Sequence, residues 1–269
     1  MGGRSHMLYI IGLGLYDEND ISIKGMKTLK VCDRIFAEFY TAKLKDQSLS
    51  TIREETGKDI QIIGRKEIEE EMTPLEYAQG EDVALLVPGD PLVATTHSTL
   101  ILEARRKNIK TRIIHSSSIF SAAPGLAGLQ VYKFGKTTTI PFPEENYFPH
   151  SPYLTIKDNL EYDAHTLILL DIKAEENKYM SANEGLEYLL RVEEERGDDI
   201  IGLDSLAVVL ARVGSSNPLI RADRIKKLRL EDFGGPLHCL IIPSKLHFLE
   251  AEYLVEIGGA PPEILEGER

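Results

Sequence analysis

The sequence predicts an α/β protein made of two α/β domains, the first built on a mainly parallel sheet of five strands. Short apolar runs alternate with amphipathic stretches between Met7 and about Leu129, and this alternation is typical of repeated strand–helix units. It resumes after a segment rich in proline, and 269 residues are enough for two domains of ordinary size. We therefore expect an N-terminal domain over 7–131, a linker region over 132–152 and a C-terminal domain over 153–269.

Five apolar runs are the predicted strands of the first domain, at 8–13, 34–39, 60–63, 83–87 and 111–115. Apolar residues at helical spacing predict helices over 22–31 and 96–107. Parallel strands need such crossovers, because a short turn cannot return the chain to the same end of the sheet.

The predicted linker contains Pro141, Pro143, Pro149 and Pro152, which exclude a long helix. Its first part is also compatible with a strand of the second sheet. Beyond it, apolar runs predict strands at 166–172, 206–213 and 239–243. Ser181, with Glu184 three residues later, predicts a capping box and a helix to about residue 195, and a closing helix is expected over 246–257.

The composition argues against some kinds of partner. A net charge of -12 would repel a phosphate backbone, so nucleic acid is not the expected partner. The cluster formed by Arg105, Arg106, Lys107 and Lys110 leaves a local basic patch open, although it is interpreted as the solvated end of a helix. No apolar run approaches the roughly 20 residues of a membrane span, so we expect a soluble protein with no membrane partner.

The two cysteines, Cys32 and Cys239, lie far apart and outside any CxxC spacing. This indicates neither a disulfide framework nor a zinc or other metal site, and it fits a reducing, cytoplasmic setting. Residues 1–6 have no long apolar segment and are interpreted as a cloning scar, with the natural start at Met7.

Ligands of open α/β sheets bind beyond the carboxyl ends of the strands, so the turns that follow strands are the candidate sites. The first turn is GLGLYD at 12–17. A dinucleotide fingerprint would need a third glycine where this chain has Asp17, and the ending of a P-loop is missing too, so a phosphate cradle is disfavoured. The GxG is either a tight turn or a place where backbone closely approaches a ligand.

Two further turns carry polar groups. In PGDP at 88–91, the carboxylate of Asp90 either closes an Asx-turn or accepts hydrogen bonds from a bound molecule. His97, near the start of the following helix, is interpreted as structural. Ser118 precedes a small-residue helix, where it is either an N-cap or part of a helix N-terminus that holds a ligand.

Six segments together resemble the tetrapyrrole-methylase-like class of S-adenosylmethionine methyltransferases and, within it, the diphthine synthase family. The match runs from Leu8 to about Leu265. Its most specific strings are IGLGLYDENDIS at 11–22, FAEFYT at 36–41, PGDPLVATTH at 88–97, YKFGK at 132–136, LDIKAEE at 170–176 and HFLEAEYLVEIGGAP at 247–261.

The resemblance implies two α/β domains of the tetrapyrrole methylase type, a mixed C-terminal sheet, a homodimer, and S-adenosylmethionine bound in a cleft between the domains and released as S-adenosylhomocysteine. The residues that match the family's cofactor contacts are Leu15, Asp90, Val93, Ser118, Ile119, Leu170, Val213 and His238. Related sequences carry alanine at the position of Val213, so only a backbone contact is carried over there.

The implied substrate is elongation factor 2 whose special histidine bears a 3-amino-3-carboxypropyl group, and methylation of that amino nitrogen gives diphthine, a step of diphthamide biosynthesis. A tetrapyrrole or corrin precursor is the alternative acceptor, and a ligand-sensing module without turnover is the non-enzymatic alternative. No catalytic residue is assigned. If a dedicated base exists, Asp171, Glu38 and His97 are the candidates, and otherwise solvent takes the proton.

Overall fold

A computed structural model describes residues 6–40, 42, 44–45 and 47–267. Most of the segment interpreted as a cloning scar, residues 1–5, lies outside the described residues, as does Thr41 at the end of one family string. The chain divides into two compact units: the first extends to Ile119 and takes in Ala174–Glu176, and the second comprises Phe120–Lys173 and the chain from Asn177 onward. A compact unit is not the same as a separately folding domain, so the predicted domain boundaries at residues 131 and 153 stay a prediction.

The first unit is built on a five-stranded sheet in which all four pairings are parallel, in the order β3-β2-β4-β1-β5. This confirms the predicted parallel sheet. The elements in chain order are β1 (Met7–Gly12), α1 (Ile23–Val31), β2 (Arg34–Ala37), α2 (Ser48–Thr56), β3 (Ile60–Ile62), α3 (Arg65–Glu69), α4 (Thr73–Tyr77), β4 (Val83–Val87), α5 (Ser98–Arg106) and β5 (Lys110–Ile114).

Helices cover both faces of this sheet. Leu29 of α1 and Ile52 of α2 pack with Ile11 on one face, whereas Leu100 of α5 packs with Ile10 on the other. Adjacent residues of β1 therefore face opposite layers, as the pleat of a strand requires.

The strand order creates a switch point between β1 and β4. From β1 the chain passes across β4 to reach β2, whereas from β4 it passes across β1 to reach β5. The loops after these two strands therefore leave in opposite directions, which is where ligands bind in open α/β sheets.

The second unit contains a mixed five-stranded sheet, as the resemblance implied, in the order β11-β10-β12-β7-β6. Only β6 and β7 pair in parallel; the other pairings are antiparallel. The elements are α6 (Ile119–Leu126), which spans the division between the units, β6 (Thr138–Ile140), α7 (Ser151–Glu161), β7 (Thr166–Leu170), β8 (Ile172–Lys173), β9 (Lys178–Tyr179), α8 (Ala182–Arg196), β10 (Leu206–Ala211), β11 (Leu219–Arg224), α9 (Ile225–Leu228), β12 (His238–Ile242) and α10 (Phe248–Glu256).

The strand predicted over 166–172 is interrupted at Asp171. Its backbone N–H donates to the Ile140 carbonyl, and its carboxylate accepts the N–H groups of Phe142 and Ile172, at 2.9 Å each. The chain then turns into the short β8–β9 hairpin. The capping box of Ser181 and Glu184 at the start of α8 is confirmed.

None of the helices in the described part of the chain is long and apolar enough to cross a membrane.

Candidate active site

The GxG turn and the PGDP turn are hydrogen-bonded to each other. The Gly14 N–H donates to the Gly89 carbonyl at 3.2 Å, and the Gly89 N–H donates to the Gly14 carbonyl at 2.7 Å. Both glycines have a positive φ, +81° and +71°, which other residues adopt only with strain. The backbone of the two turns requires glycine at both positions, because each turn bends sharply to meet its neighbour.

Gly12, the last residue of β1, lies against both the turn after β4 and the turn after β5. A Cβ atom at Gly12 would lie 2.6 Å from the Gly89 carbonyl oxygen and 2.8 Å from the Cβ of Ser116. The Ser116 hydroxyl also donates to the carbonyl of Asp20, at 3.0 Å. The turns after β1, β4 and β5 therefore converge at one edge of the first sheet, as their positions after parallel strands predicted.

Asp90 is the most connected polar side chain at this edge. It is only 8% exposed. One carboxylate oxygen accepts the Leu92 N–H at 3.2 Å, so Asp90 forms the Asx-turn that was one of its two predicted roles. The other lies 2.8 Å from His115 Nδ1 and 3.4 Å from the Ser116 nitrogen. A carboxylate has about four acceptor sites, so these three contacts leave capacity for a ligand.

His115 is a site residue that the sequence reasoning missed. Its partner Asp90 is 25 residues away in the chain, so no local pattern joins the two. The available signal was a histidine directly after one strand and an aspartate close after another, at a shared edge of the sheet. Its side chain is 71% exposed, although Asp90 beside it is nearly enclosed.

The other predicted site residues of the first unit lie in these turns or directly after them. Leu15 is half-buried, and its N–H donates to the carboxylate of Asp20 at 3.2 Å. Val93 is 37% exposed, so an apolar side chain faces outward from the turn. Ser118 directly precedes α6 and Ile119 begins it, and both are half-buried.

Glu38 and His97, offered as bases, are both fully buried. His97 Nδ1 lies 3.1 Å from the Pro91 carbonyl and Nε2 lies 3.3 Å from the Tyr40 hydroxyl. Burial lowers the pKa of His97, although the hydrogen bond to Pro91 opposes the shift. Neither side chain is open to a substrate, and His97 instead anchors the turn that carries Asp90, which fits its structural interpretation.

In the second unit, Leu170 ends β7 and His238 begins β12, and Val213 follows the end of β10 by two residues. His238 Nδ1 accepts the Ala182 N–H at 3.1 Å, and Nε2 lies 3.0 Å from the Gly235 carbonyl. Burial lowers the pKa of His238, which favours the neutral ring. Because both ring nitrogens have partners, a ligand would meet His238 through its backbone.

Asp171, the third candidate base, follows Leu170 and is half-buried. Its two carboxylate oxygens each accept a backbone N–H, as described for the end of β7. This assigns Asp171 a role in turning the chain.

Comparison with known proteins identifies the family. The model for tetrapyrrole (corrin/porphyrin) methylases matches residues 7–228. The diphthine synthase of Methanothermobacter thermautotrophicus is 60% identical over 260 residues, which cover 97% of this chain and 98% of the relative. The diphthine synthase of Methanocaldococcus jannaschii is 51% identical over 92% of this chain and 97% of its own. A crystal structure of diphthine synthase, 39% identical, superposes with a TM-score of 0.88 and covers 97% of this chain and 100% of that one.

Proposed function

We propose that this chain, which belongs to the diphthine synthase family within the tetrapyrrole methylases, methylates elongation factor 2 at a histidine that carries a 3-amino-3-carboxypropyl group. Family membership makes the chain an S-adenosylmethionine-dependent methyltransferase. The acceptor is the amino nitrogen of the modified histidine, and the product is diphthine, a step of diphthamide biosynthesis. The observation that carries the proposal is 60% identity to a diphthine synthase over 97% of the chain.

The proposed cofactor contacts are Leu15, Asp90, Val93, Ser118, Ile119, Leu170, Val213 and His238. The chemistry of this set suits an adenosyl and methionyl group, since apolar side chains accompany a carboxylate with spare acceptor capacity. A Cβ atom at Gly89 would meet nothing within 4 Å, so the backbone beside Asp90 is open to close approach. These features support the assignment.

When bound, the cofactor supplies an electrophilic methyl group on a positively charged sulfur. The protein's part is to hold the amine and the methyl carbon in line and to exclude water. Well-aligned intramolecular reactions gain on the order of 7–11 kcal/mol over reactions in solution, so orientation is the main source of acceleration in this proposal.

The acceptor is tested by incubating the protein with cofactor labelled in its methyl group and one of three acceptors. These are elongation factor 2 with the 3-amino-3-carboxypropyl group, the same factor without it, and a porphyrinogen. The proposal expects label only in the first. Label in the porphyrinogen would support the alternative acceptor, and cofactor binding without transfer to any acceptor would indicate a ligand-sensing module.

The cofactor site is tested by calorimetric titration of S-adenosylhomocysteine into the wild type and the Asp90→Asn variant. Asparagine keeps the shape of the turn but loses the charge, so we expect about tenfold weaker binding, equivalent to about 1.4 kcal/mol. Asp59→Asn is the matched control, because the Asp59 side chain is 94% exposed and its contacts are with the Ile60 N–H and the nearby Arg53. Equal affinities in all three proteins would remove Asp90 from the site.

Homodimer formation and a cytoplasmic location belong to the same proposal. A translation factor is the substrate, so enzyme and acceptor must share a compartment. Light scattering at several protein concentrations measures the oligomeric state.

A further inference from the structure

We propose that His115 is the general base of this methyl transfer, and that its Nε2 atom takes the proton that the acceptor nitrogen must lose before it attacks. This inference rests on the proposed function, because it assigns a role within that reaction. His115 lies in the turn after β5 and is not among the candidate bases that the sequence indicates.

The position of His115 supports this role. It directly follows β5, whereas Asp90 lies in the turn after β4, and β1 separates these two strands in the sheet. The imidazole reaches across that edge to bring Nδ1 within 2.8 Å of the Asp90 carboxylate. Asp90 is also one of the proposed cofactor contacts, so the imidazole lies beside a residue of the proposed cofactor site.

The pairing fixes which ring nitrogen is available. An ionised carboxylate only accepts hydrogen bonds, so the proton of the neutral ring lies on Nδ1 and the lone pair lies on Nε2. The same carboxylate stabilises the imidazolium that forms when Nε2 takes a proton. An aspartate orients a catalytic histidine in this way in hydrolases that use a serine nucleophile.

Exposure separates His115 from other histidines of the chain. His97 and His165 are fully buried, and hydrogen-bond partners lie at both ring nitrogens of each. The ring of His238 has partners at both nitrogens as well. His115 combines an enclosed carboxylate partner with a side chain that is 71% exposed, so its ring is open to a substrate from outside.

The proton and electron balance is complete without another reactant. An N–H bond of the substrate ammonium breaks, its proton passes to Nε2, and the electron pair stays on nitrogen. That pair forms the new N–C bond while the C–S bond breaks and its pair remains on sulfur. The imidazolium then releases its proton to solvent, which its exposure permits, and the base is ready for another transfer.

The test compares His115→Gln with the wild type in single-turnover methyl transfer across a range of pH. Glutamine can still donate a hydrogen bond to Asp90 but cannot take a proton. We expect the rate to fall at least about 100-fold, the lower bound of general-base contributions, and the pH dependence of the rate to change. Added imidazole should partly restore the rate of His115→Ala.

Two measurements separate a base from a merely structural residue. The affinity of His115→Gln for S-adenosylhomocysteine should stay within about twofold of the wild type, since a base need not contact the cofactor. Ring ¹⁵N chemical shifts of His115 should place its proton on Nδ1 in the wild type, and this preference should be lost in Asp90→Ala, which removes the acceptor. His150→Gln is the matched control, because His150 also pairs with a carboxylate, 3.0 Å from Glu195, and this variant should keep the full rate.

The inference is overturned if His115→Gln keeps its rate within about threefold and retains the wild-type pH profile. A rate loss that is matched by loss of cofactor affinity would also overturn it, because His115 would then act only through binding. If the wild type itself transfers no methyl group to the modified factor, the proposed function fails first.

Discussion

Replacing Gly12 by alanine tests the convergence of the three turns at the candidate site. The added Cβ atom would lie 2.6 Å from the Gly89 carbonyl oxygen and 3.0 Å from Cδ of Pro91. The first of these is a backbone atom and cannot rotate away, so the turn at 88–91 must move by several tenths of an ångström. Overpacking costs about 1–3 kcal/mol, and strain on the two hydrogen bonds between Gly14 and Gly89 adds to it, so we expect a loss of about 2–4 kcal/mol in the free energy of unfolding.

Urea-induced unfolding followed by circular dichroism measures this loss, and calorimetry with S-adenosylhomocysteine measures the effect on binding. We expect about tenfold weaker binding, since Asp90 moves with its turn. Gly80→Ala is the control, because nothing lies within 4 Å of a Cβ atom there, and it should be neutral or stabilising by up to about 1 kcal/mol. If Gly12→Ala unfolds at the same urea concentration as Gly80→Ala and binds the ligand like the wild type, the inferred close packing of Gly12 against the Gly89 carbonyl is wrong.

Three further substitutions probe the supporting structure through unfolding free energies. Ser181→Ala removes the N-cap of α8 and should cost about 1 kcal/mol; no change would show that the capping box contributes nothing. Glu250 is 1% exposed, and although burial opposes it, hydrogen bonds from Lys133 and backbone N–H groups lower its pKa from 4.5 to about 2. This stabilisation is complete above pH 4.5 and is lost as the pH falls towards 2. Glu250→Gln should therefore cost about 3 kcal/mol of unfolding free energy at pH 7 and much less at pH 3. An equal cost at both pH values would contradict the lowered pKa of Glu250. Burial lowers the pKa of His97 below 6.5, so stability is lost as the pH falls below 6.5, and His97→Gln should reduce the loss between pH 7 and pH 5; an unchanged loss would show that His97 does not contribute.

The strands were predictable where burial leaves an apolar run. Every residue of β4 is buried, and VALLV shows it directly. β11 was missed because LIRADR is half polar, and only Ala222 and Asp223 are buried in it. The helix α2 was missed for a similar reason: only Ser48 and Ile52 are buried, which is too few for a periodic pattern.

The meeting of the turns that form the candidate site was predictable, whereas the contacts within it were predictable only in part. The position of Asp90 and Ser118 after parallel strands placed them at one edge of the sheet without any structure. The burial of Glu38 and His97 was not predictable, because an isolated polar residue has no periodicity that reports its surroundings. The pairing of Asp90 with His115 depends on the strand order, which brings residues 25 positions apart within 2.8 Å.

The most direct test of the proposed reaction is fragment mass spectrometry of the modified histidine peptide of elongation factor 2, before and after incubation with this protein and S-adenosylmethionine. We predict that the peptide gains methyl groups on the amino nitrogen of its 3-amino-3-carboxypropyl group, and that these methyl groups survive mild alkaline hydrolysis. A peptide of unchanged mass, or methyl groups found only on the carboxylate as alkali-labile esters, would contradict the account.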